Sequence, residues 1–255
     1  MKLDLVIHSS DSNPFYLDFW PLVSRVWKEG FGIEPILLYI DENHDIPIDE
    51  TYGKVVKMKP VPDVPLYLQC LWVRYWYPSQ VPESVCMISD IDMFPVSKRY
   101  FLDQIAEIPD TKYVHLNPQH QYLPSCYHVA KGSLFKDVLG LEPTWTESVF
   151  ALHNRNLGHD CFDGVNTILK DKIQWGSDEE YATKRVRSYP DQSIVVFLPR
   201  THKRIDRSYW VYAPFDIEAD KYADSHSIRP YSQYKREIDA LVLTILSNCG
   251  RNKVN

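Results

Sequence analysis

The first forty residues alternate between short apolar runs and a stretch with helical spacing. Residues 3–8 (LDLVIH) and 35–40 (PILLYI) are apolar without a helical period, which is typical of buried strands. Between them, apolar residues recur at helical spacing over residues 15–26, with Pro14 in the first turn and Gly30 at the predicted end. This order of elements indicates a βαβ unit and a mainly parallel sheet.

The rest of the chain continues this alternation without an internal repeat or a long linker. Predicted strands cover residues 54–58, 85–89, 113–116, 127–130 and 194–198, and predicted helices cover 66–77, 144–155, 178–187 and 231–247. The expected fold class is therefore α/β, with one domain over residues 1–255 and a mixed, mainly parallel central sheet flanked by helices.

Composition and charge exclude several classes of protein. Hydrophobic residues make up 44% of the 255 residues, which is ordinary for a globular chain, and the net charge of −6 argues against a nucleic-acid partner. No apolar run approaches the ~20 residues of a membrane span, and the N-terminus lacks a signal-peptide pattern, so no transmembrane segment is expected. Five cysteines without a CxxC pair favour reduced thiols and a cytoplasmic location.

The main chemical signal is an Asp-x-Asp motif in the middle of the chain. Residues 87–95 (MISDIDMFP) place Asp90 and Asp92 directly after an apolar predicted strand. Ligands of open α/β sheets bind beyond the carboxyl ends of the strands. Two carboxylates there repel each other unless a cation joins them, and oxygen ligands suit Mg²⁺ or Mn²⁺. The alternative is an aspartate pair that only caps a helix or closes a turn.

The order of these segments resembles the nucleotide-sugar-dependent glycosyltransferases of the GT-A fold. Residues 73–78 (VRYWYP) followed by MISDID are similar to the glycogenin-type arrangement. The resemblance implies one GT-A (Rossmann-like) domain, with a nucleotide-binding half over residues 1–116 and an acceptor- and sugar-binding half over 117–255. It implies that Asp90 and Asp92 hold Mn²⁺ or Mg²⁺ against the donor diphosphate. Arg74 would then contact the donor phosphates or the motif itself.

The same resemblance gives a role to the polar turn after the first predicted strand. In GT-A enzymes this loop cradles the nucleoside, which here implies Ser9, Ser10 and Asp11. Serine hydroxyls and backbone N–H groups can bind a base edge or a ribose. These residues also suit an ordinary strand-to-helix turn.

A predicted helix start carries the candidate catalytic carboxylates. In WGSDEE over residues 175–180, Ser177 and Glu180 match a capping box, and the first turn of a helix favours ionised carboxylates such as Asp178 and Glu179. The resemblance implies that an acid here handles the sugar or deprotonates the acceptor hydroxyl, with Asp178 preferred to Glu179. The aromatic ring of Trp175, with those of neighbouring Tyr residues, could stack on a sugar face.

A segment near the C-terminus supplies further candidates. Residues 224–231 (DSHSIRPY) are similar to a segment that closes over the diphosphate in several GT-A enzymes, and the alternative is a polar loop before the last helix. By that resemblance His226 would be a third metal ligand and Arg229 a phosphate partner.

The implied function is transfer of a sugar from a UDP- or GDP-linked donor to a hydroxyl of a glycan or other acceptor. The glycogenin-like order favours retention of configuration, whereas Asp178 acting as a base would mean inversion, so both outcomes stay open. A haloacid-dehalogenase-like Mg²⁺-dependent phosphatase is an alternative, although it requires Thr or Val where this chain has Phe94. A non-catalytic nucleotide-sugar- or carbohydrate-binding module is another. The chain lacks GxxxxGK[ST], GxGxxG, GxSxG and HExxH motifs.

Overall fold

The computed structural model describes residues 1–42, 44–118, 123–157 and 176–251. In chain order its strands are β1 (Leu5–Ser10), β2 (Glu34–Ile40), β3 (Lys54–Met58), β4 (Val85–Ile88), β5 (Met93–Pro95), β6 (Tyr113–Leu116), β7 (His128–Lys131), β8 (Val195–Leu198), β9 (Lys203–Ile205) and β10 (Tyr222–His226). Its α-helices are α1 (Pro14–Leu17), α2 (Trp20–Arg25), α3 (Leu66–Trp76), α4 (Gln104–Ala106), α5 (Gly132–Leu139), α6 (Trp145–Leu157), α7 (Ser177–Arg187), α8 (Pro214–Glu218) and α9 (Tyr231–Arg251). Short π-helical segments cover Val26–Phe31 and Arg99–Asp103, and 3₁₀ turns cover Tyr77–Gln80 and Gln192–Ile194.

Within the described residues, seven strands form a central sheet in the order β3-β2-β1-β4-β7-β6-β8. Neighbouring strands pair in parallel except around β7, which runs antiparallel to both β4 and β6. Helices pack on both faces. The predicted α/β class with a mixed, mainly parallel sheet is therefore confirmed, and the predicted strands of this sheet are recovered within a few residues.

The central strands are apolar on both faces, which explains why the sequence shows continuous apolar runs there. On β1, Val6 packs into one hydrophobic cluster and Ile7 into the other, and both are fully buried. On β2, Leu37 likewise packs into the first cluster and Leu38 into the second. Strands of parallel sheets covered by helices on both faces have this pattern. The parallel pairing also brings the carboxyl ends of β1 and β4 to the same edge of the sheet.

A smaller sheet, β5-β10-β9, lies beyond that edge. In the antiparallel pairing of β10 with β5, His226 lies opposite Met93. The alternative of a polar loop over residues 224–231 is therefore wrong for Asp224 to His226, which belong to a strand. The pattern did not predict it because the strand is buried yet polar: Asp224 and Ser225 are fully buried.

The N-terminal helical region differs from the predicted single helix that ends at Gly30. It consists of α1, α2 and the π-helical segment, and it ends at Gly32, whose φ of 75° lies in the left-handed region. The amide of Gly32 donates to the carbonyl of Lys28 at 3.2 Å. Glycine adopts this conformation without a side-chain penalty, and the helical region therefore ends at Gly32, two residues later than predicted.

Candidate functional site

A cavity of about 930 Å³ opens at the carboxyl edge of the central sheet. Its walls come from the loop after β1, from α3, from the turn between β4 and β5, from the start of α7 and from the segment that follows β10. The candidate metal, nucleotide-binding and catalytic residues of the sequence analysis all line this cavity, whereas Trp175 falls outside the described part of the chain.

The Asp-x-Asp motif occupies the turn that joins β4 to β5. Asp90 lies at the cavity wall with 38% of its side chain exposed, whereas Asp92 is only 5% exposed. The amide of Asp90 donates to the Cys126 sulfur at 3.0 Å. The carboxyl group of Asp90 accepts a hydrogen bond from Arg74, and this ion pair outweighs the opposing effect of burial and lowers the Asp90 pKa. Asp90 is therefore ionised at neutral pH.

Arg74, near the end of α3, connects the motif to α7. Its guanidinium is buried and contacts Asp90 on one side and the Asp178 carboxylate, at 3.5 Å, on the other. Burial opposes its charge, but the two carboxylates prevail and raise the pKa of Arg74. Of the two expectations for Arg74, the structure shows contact with the motif itself.

Asp178 lies behind Arg74 at the start of α7 and is almost fully buried. Burial raises the pKa of Asp178 to about 7, although Arg74 favours its charged form. The helix start therefore does not keep this carboxyl group fully ionised at neutral pH, because burial opposes its charge. Burial also raises the pKa of Glu179, whose carboxylate accepts from the Ser125 amide at 3.0 Å.

The predicted capping box at this helix start is wrong. Gly176, with a φ of 89°, precedes α7, and no side-chain cap hydrogen bond forms there among the described residues. The buried hydroxyl of Ser177 has no partner in the described part of the chain, and Glu180 instead pairs with Lys184 at 2.8 Å. Trp175 lies outside the described residues.

Basic side chains surround the buried carboxylate of Asp92. Its Oδ2 atom lies 3.5 Å from His226 Nε2, 3.5 Å from Arg229 Nη1 and 3.7 Å from Arg207 Nη1. His226 is brought there by the pairing of β10 with β5, and Arg229 follows three residues later. Arginine binds phosphate oxygens in a planar, bidentate geometry, so this wall suits a phosphorylated ligand.

The loop after β1 also lines the cavity. The Ser9 hydroxyl donates to the Cys70 carbonyl, and the Ser10 hydroxyl donates to the Asp11 carbonyl at 2.9 Å. The Asp11 carboxylate accepts from the Asn13 amide at 3.0 Å. Both serine hydroxyls thus have a partner within the chain, and their oxygens remain acceptors towards the cavity.

The donor set near Asp92 fits a divalent cation that is shared with a ligand. Asp92 Oδ2 and His226 Nε2 lie 3.5 Å apart, close to the roughly 3 Å between neighbouring ligands of an octahedral ion with bonds of about 2.1 Å. No group of three or more His, Cys, Asp or Glu side chains that could hold a metal occurs in the described ranges. An ion of this kind needs only one or two carboxylates when phosphates and waters complete its shell.

Several cavity residues were missed by the sequence analysis. Arg207, Ser125, Tyr16 and Tyr67 line the cavity, and Arg207 reaches Asp92. Arg207 lies in an irregular segment between β9 and α8, where no periodicity assigns a direction to its side chain. The run of basic residues around Arg207 is the sequence feature that could have indicated a role for it.

The described residues contain no helix with the length and apolar character needed to cross a membrane. Searches against family models and curated proteins found no match. Among solved structures, the glycosyltransferase GlyE of Streptococcus pneumoniae TIGR4 superposes with a TM-score of 0.54 at 11% identity, over 99% of this chain and 65% of GlyE. This chain thus spans less than two thirds of GlyE. The galactosyltransferase LgtC, solved in complex with donor and acceptor sugar analogs, superposes with a TM-score of 0.51 at 10% identity, over 97% of this chain and 95% of LgtC.

These likenesses concern the fold. The chain shares with both enzymes an α/β architecture that covers nearly its whole length, in agreement with the expected GT-A fold.

Proposed function

We propose that the protein is a divalent-metal-dependent glycosyltransferase that moves a sugar from a UDP- or GDP-linked donor to a hydroxyl of a glycan or other acceptor. The observation that carries this proposal is the pairing of Asp92 with His226, beside Arg207 and Arg229, in a cavity at the carboxyl edge of the sheet. The fold, shared with sugar-transferring enzymes, makes this chemistry the best match for that site.

In such a transfer, the bond between the sugar C1 and the phosphate oxygen breaks, and C1 forms a bond to the acceptor oxygen. Negative charge then develops on the departing nucleoside diphosphate. In the proposed site Arg207 and Arg229 stabilise this charge, because preorganised cations lower the barrier where charge appears. A bound Mn²⁺ or Mg²⁺ supplies Lewis-acid stabilisation of the same charge. Asp92 and His226 would hold that ion, with Asp90 as the further predicted ligand.

The acceptor hydroxyl must lose its proton as the new bond forms. Asp178 is the preferred candidate to take it, since a carboxyl group with a pKa of about 7 is half ionised near neutral pH and is a stronger base than an ordinary aspartate. Glu179 is the second candidate, and its carboxylate is oriented by the Ser125 amide. Ser9, Ser10 and Asp11, which line the same cavity, would bind the nucleoside. A cytoplasmic location remains part of this proposal, on the strength of the cysteine pattern.

The proposal is tested by a donor-turnover assay. The protein is incubated with UDP- and GDP-linked hexoses in the presence of Mn²⁺, and release of the nucleoside diphosphate is measured with and without a panel of glycan acceptors. We expect release from at least one donor, its loss with EDTA, and its loss in Asp92→Asn. The matched control is Asp137→Asn, since Asp137 is an exposed aspartate on α5 outside the cavity.

The rival functions predict different results. Metal-dependent nucleotide binding without turnover of any donor would indicate a binding module. Hydrolysis of para-nitrophenyl phosphate without nucleotide binding would indicate the phosphatase. Either result contradicts the proposed transfer.

A further inference from the structure

An exposed aromatic segment adjoins the candidate site. Residues 208–215 (SYWVYAPF), here called the aromatic segment, begin directly after Arg207, which lines the cavity. Tyr209 is 82% exposed and Val211 79% exposed, and Phe215 at the start of α8 is also exposed. Because Tyr209 follows Arg207 by two residues, their Cα atoms lie at most about 7 Å apart. The first exposed side chain of the segment is therefore attached close to the cavity wall.

The segment is held in place by its other face. Trp210 and Tyr212 pack against the hydrophobic core, with their rings perpendicular and 6.3 Å apart. The amides of Tyr209 and Trp210 both donate to the Asp206 carbonyl, at 3.0 Å and 2.7 Å. The inward residues thus anchor the segment, while the outward side chains of Tyr209 and Val211 remain uncovered on a positioned backbone.

The charges around the segment restrict what it can bind. Residues 206–221 carry two basic side chains, Arg207 and Lys221, and four acidic ones. Arg251 pairs with one of these acids, Glu218, at 2.9 Å, so the net charge with Arg251 included is −1. Lys221 is paired with Asp216 at 2.5 Å. Anionic membranes and nucleic acids attract surfaces rich in Lys and Arg, which this surface is not. An uncharged ligand with apolar faces and hydroxyl edges does not need a surface rich in Lys and Arg.

We propose that the aromatic segment is the docking surface for an uncharged oligosaccharide, which serves as the acceptor of the proposed transfer. This inference rests on the proposed function, because it places the acceptor chain beside the cavity in which the donor would react. The C–H face of a sugar ring packs on the negative face of an aromatic ring, and the Tyr209 hydroxyl can bond to a sugar hydroxyl. A surface already held in position loses little conformational entropy on binding.

The test uses saturation-transfer NMR with cellotetraose, maltotetraose and chitotetraose as uncharged probes. A hyaluronan tetrasaccharide is the acidic counterpart, and phosphatidylcholine–phosphatidylglycerol vesicles test for a membrane surface by sedimentation. We compare the parent protein with Tyr209→Ala/Val211→Ser and with Leu243→Ser, which changes an exposed leucine on α9 outside the cavity. Circular dichroism verifies that each variant is folded, and UDP or GDP binding with Mn²⁺ is measured in the same samples.

We expect at least one uncharged tetrasaccharide to bind, roughly tenfold more weakly to the double variant and unchanged to Leu243→Ser. Absence of binding to all three tetrasaccharides, binding unaffected by the double variant, preference for hyaluronan, or vesicle binding that requires Tyr209 would each overturn the inference. Nucleotide binding without oligosaccharide binding contradicts this inference alone. Oligosaccharide binding through the segment without metal-dependent nucleotide binding supports it and contradicts the proposed donor.

Discussion

His226 Nε2 lies 3.5 Å from Asp92 Oδ2, although the two residues are far apart in the sequence. The contact depends on the register of β10 against β5, in which His226 pairs with Met93, the residue after Asp92. The smaller sheet thus brings an imidazole to the Asp-x-Asp motif in the turn that joins the two sheets. The proposed metal role of both side chains follows from this pairing.

If His226 is a metal ligand, its replacement should weaken Mn²⁺ binding while the fold is kept. We expect His226→Gln to bind Mn²⁺ in the presence of UDP or GDP at least about tenfold more weakly than the parent, measured by the electron paramagnetic resonance of free Mn²⁺. His202→Gln is the control, because His202 pairs with Asp220 outside the cavity. Equal Mn²⁺ affinity in the parent and in His226→Gln would remove His226 from the site.

Arg74 should be essential to stability because it neutralises a buried carboxylate. Arg74→Met removes the partner of both Asp90 and the buried Asp178. At about pH 8, where Asp178 is mostly ionised, we expect the free energy of unfolding to fall by about 3 kcal/mol. Urea denaturation measures this change. Arg236→Met, at an exposed position on α9, should change stability by less than about 0.5 kcal/mol. A similar loss in both variants would contradict the role assigned to Arg74.

The raised pKa of Asp178 predicts a specific dependence of stability on pH. Its pKa is about 7 in the folded protein, above the value of the unfolded chain, so the folded state holds the proton more tightly between about pH 4 and pH 7. Ionisation of Asp178 therefore destabilises the fold progressively across that range. The free energy of unfolding of Asp178→Asn, relative to the parent, should rise from pH 4 to pH 7 and then level off.

Urea denaturation of both proteins at several pH values measures this difference. Subtraction cancels the contributions of other buried groups, such as His8, whose pKa burial lowers to about 3. A difference that does not change between pH 4 and pH 7 would show that Asp178 has an ordinary pKa.

Asp224 should stabilise the smaller sheet through its ion pairs. It is fully buried, accepts from Tyr127 at 2.8 Å and from two atoms of Arg204 at 2.9 Å, and pairs with Arg200 at 2.5 Å. Burial raises the pKa of Asp224, but the two arginines prevail and lower it to about 2. This stabilisation is present above about pH 4 and is lost as the pH falls through 2.

We therefore expect Asp224→Asn to lose about 3 kcal/mol of unfolding free energy at pH 7, and much less at pH 2. Tyr127→Phe removes one hydrogen bond and keeps the ion pairs, and it should cost only about 1 kcal/mol. Denaturation at both pH values checks this. An equal loss at pH 7 and pH 2 would show that the charge of Asp224 is not what stabilises the sheet.

Sequence reasoning predicted the central sheet because its strands are apolar on both faces, as Val6 and Ile7 illustrate. It did not predict β10, because Asp224 and Ser225 are polar and their burial depends on partners distant in the sequence. The environment of Asp178 was missed for the same reason: the local pattern shows a helix start, whereas its pKa depends on tertiary burial and on Arg74. The division at residues 116 and 117 into two functional halves stays a prediction.

The measurement that tests the central claim most directly is calorimetric titration of UDP and GDP, with and without Mn²⁺, into the parent protein and into Asp92→Asn. We expect one nucleotide to bind the parent with an affinity that increases at least about tenfold with Mn²⁺, and we expect this increase to disappear in Asp92→Asn but not in Asp137→Asn. Nucleotide binding that is independent of Mn²⁺, or an increase that persists in Asp92→Asn, would contradict a metal-dependent donor site at the Asp-x-Asp motif.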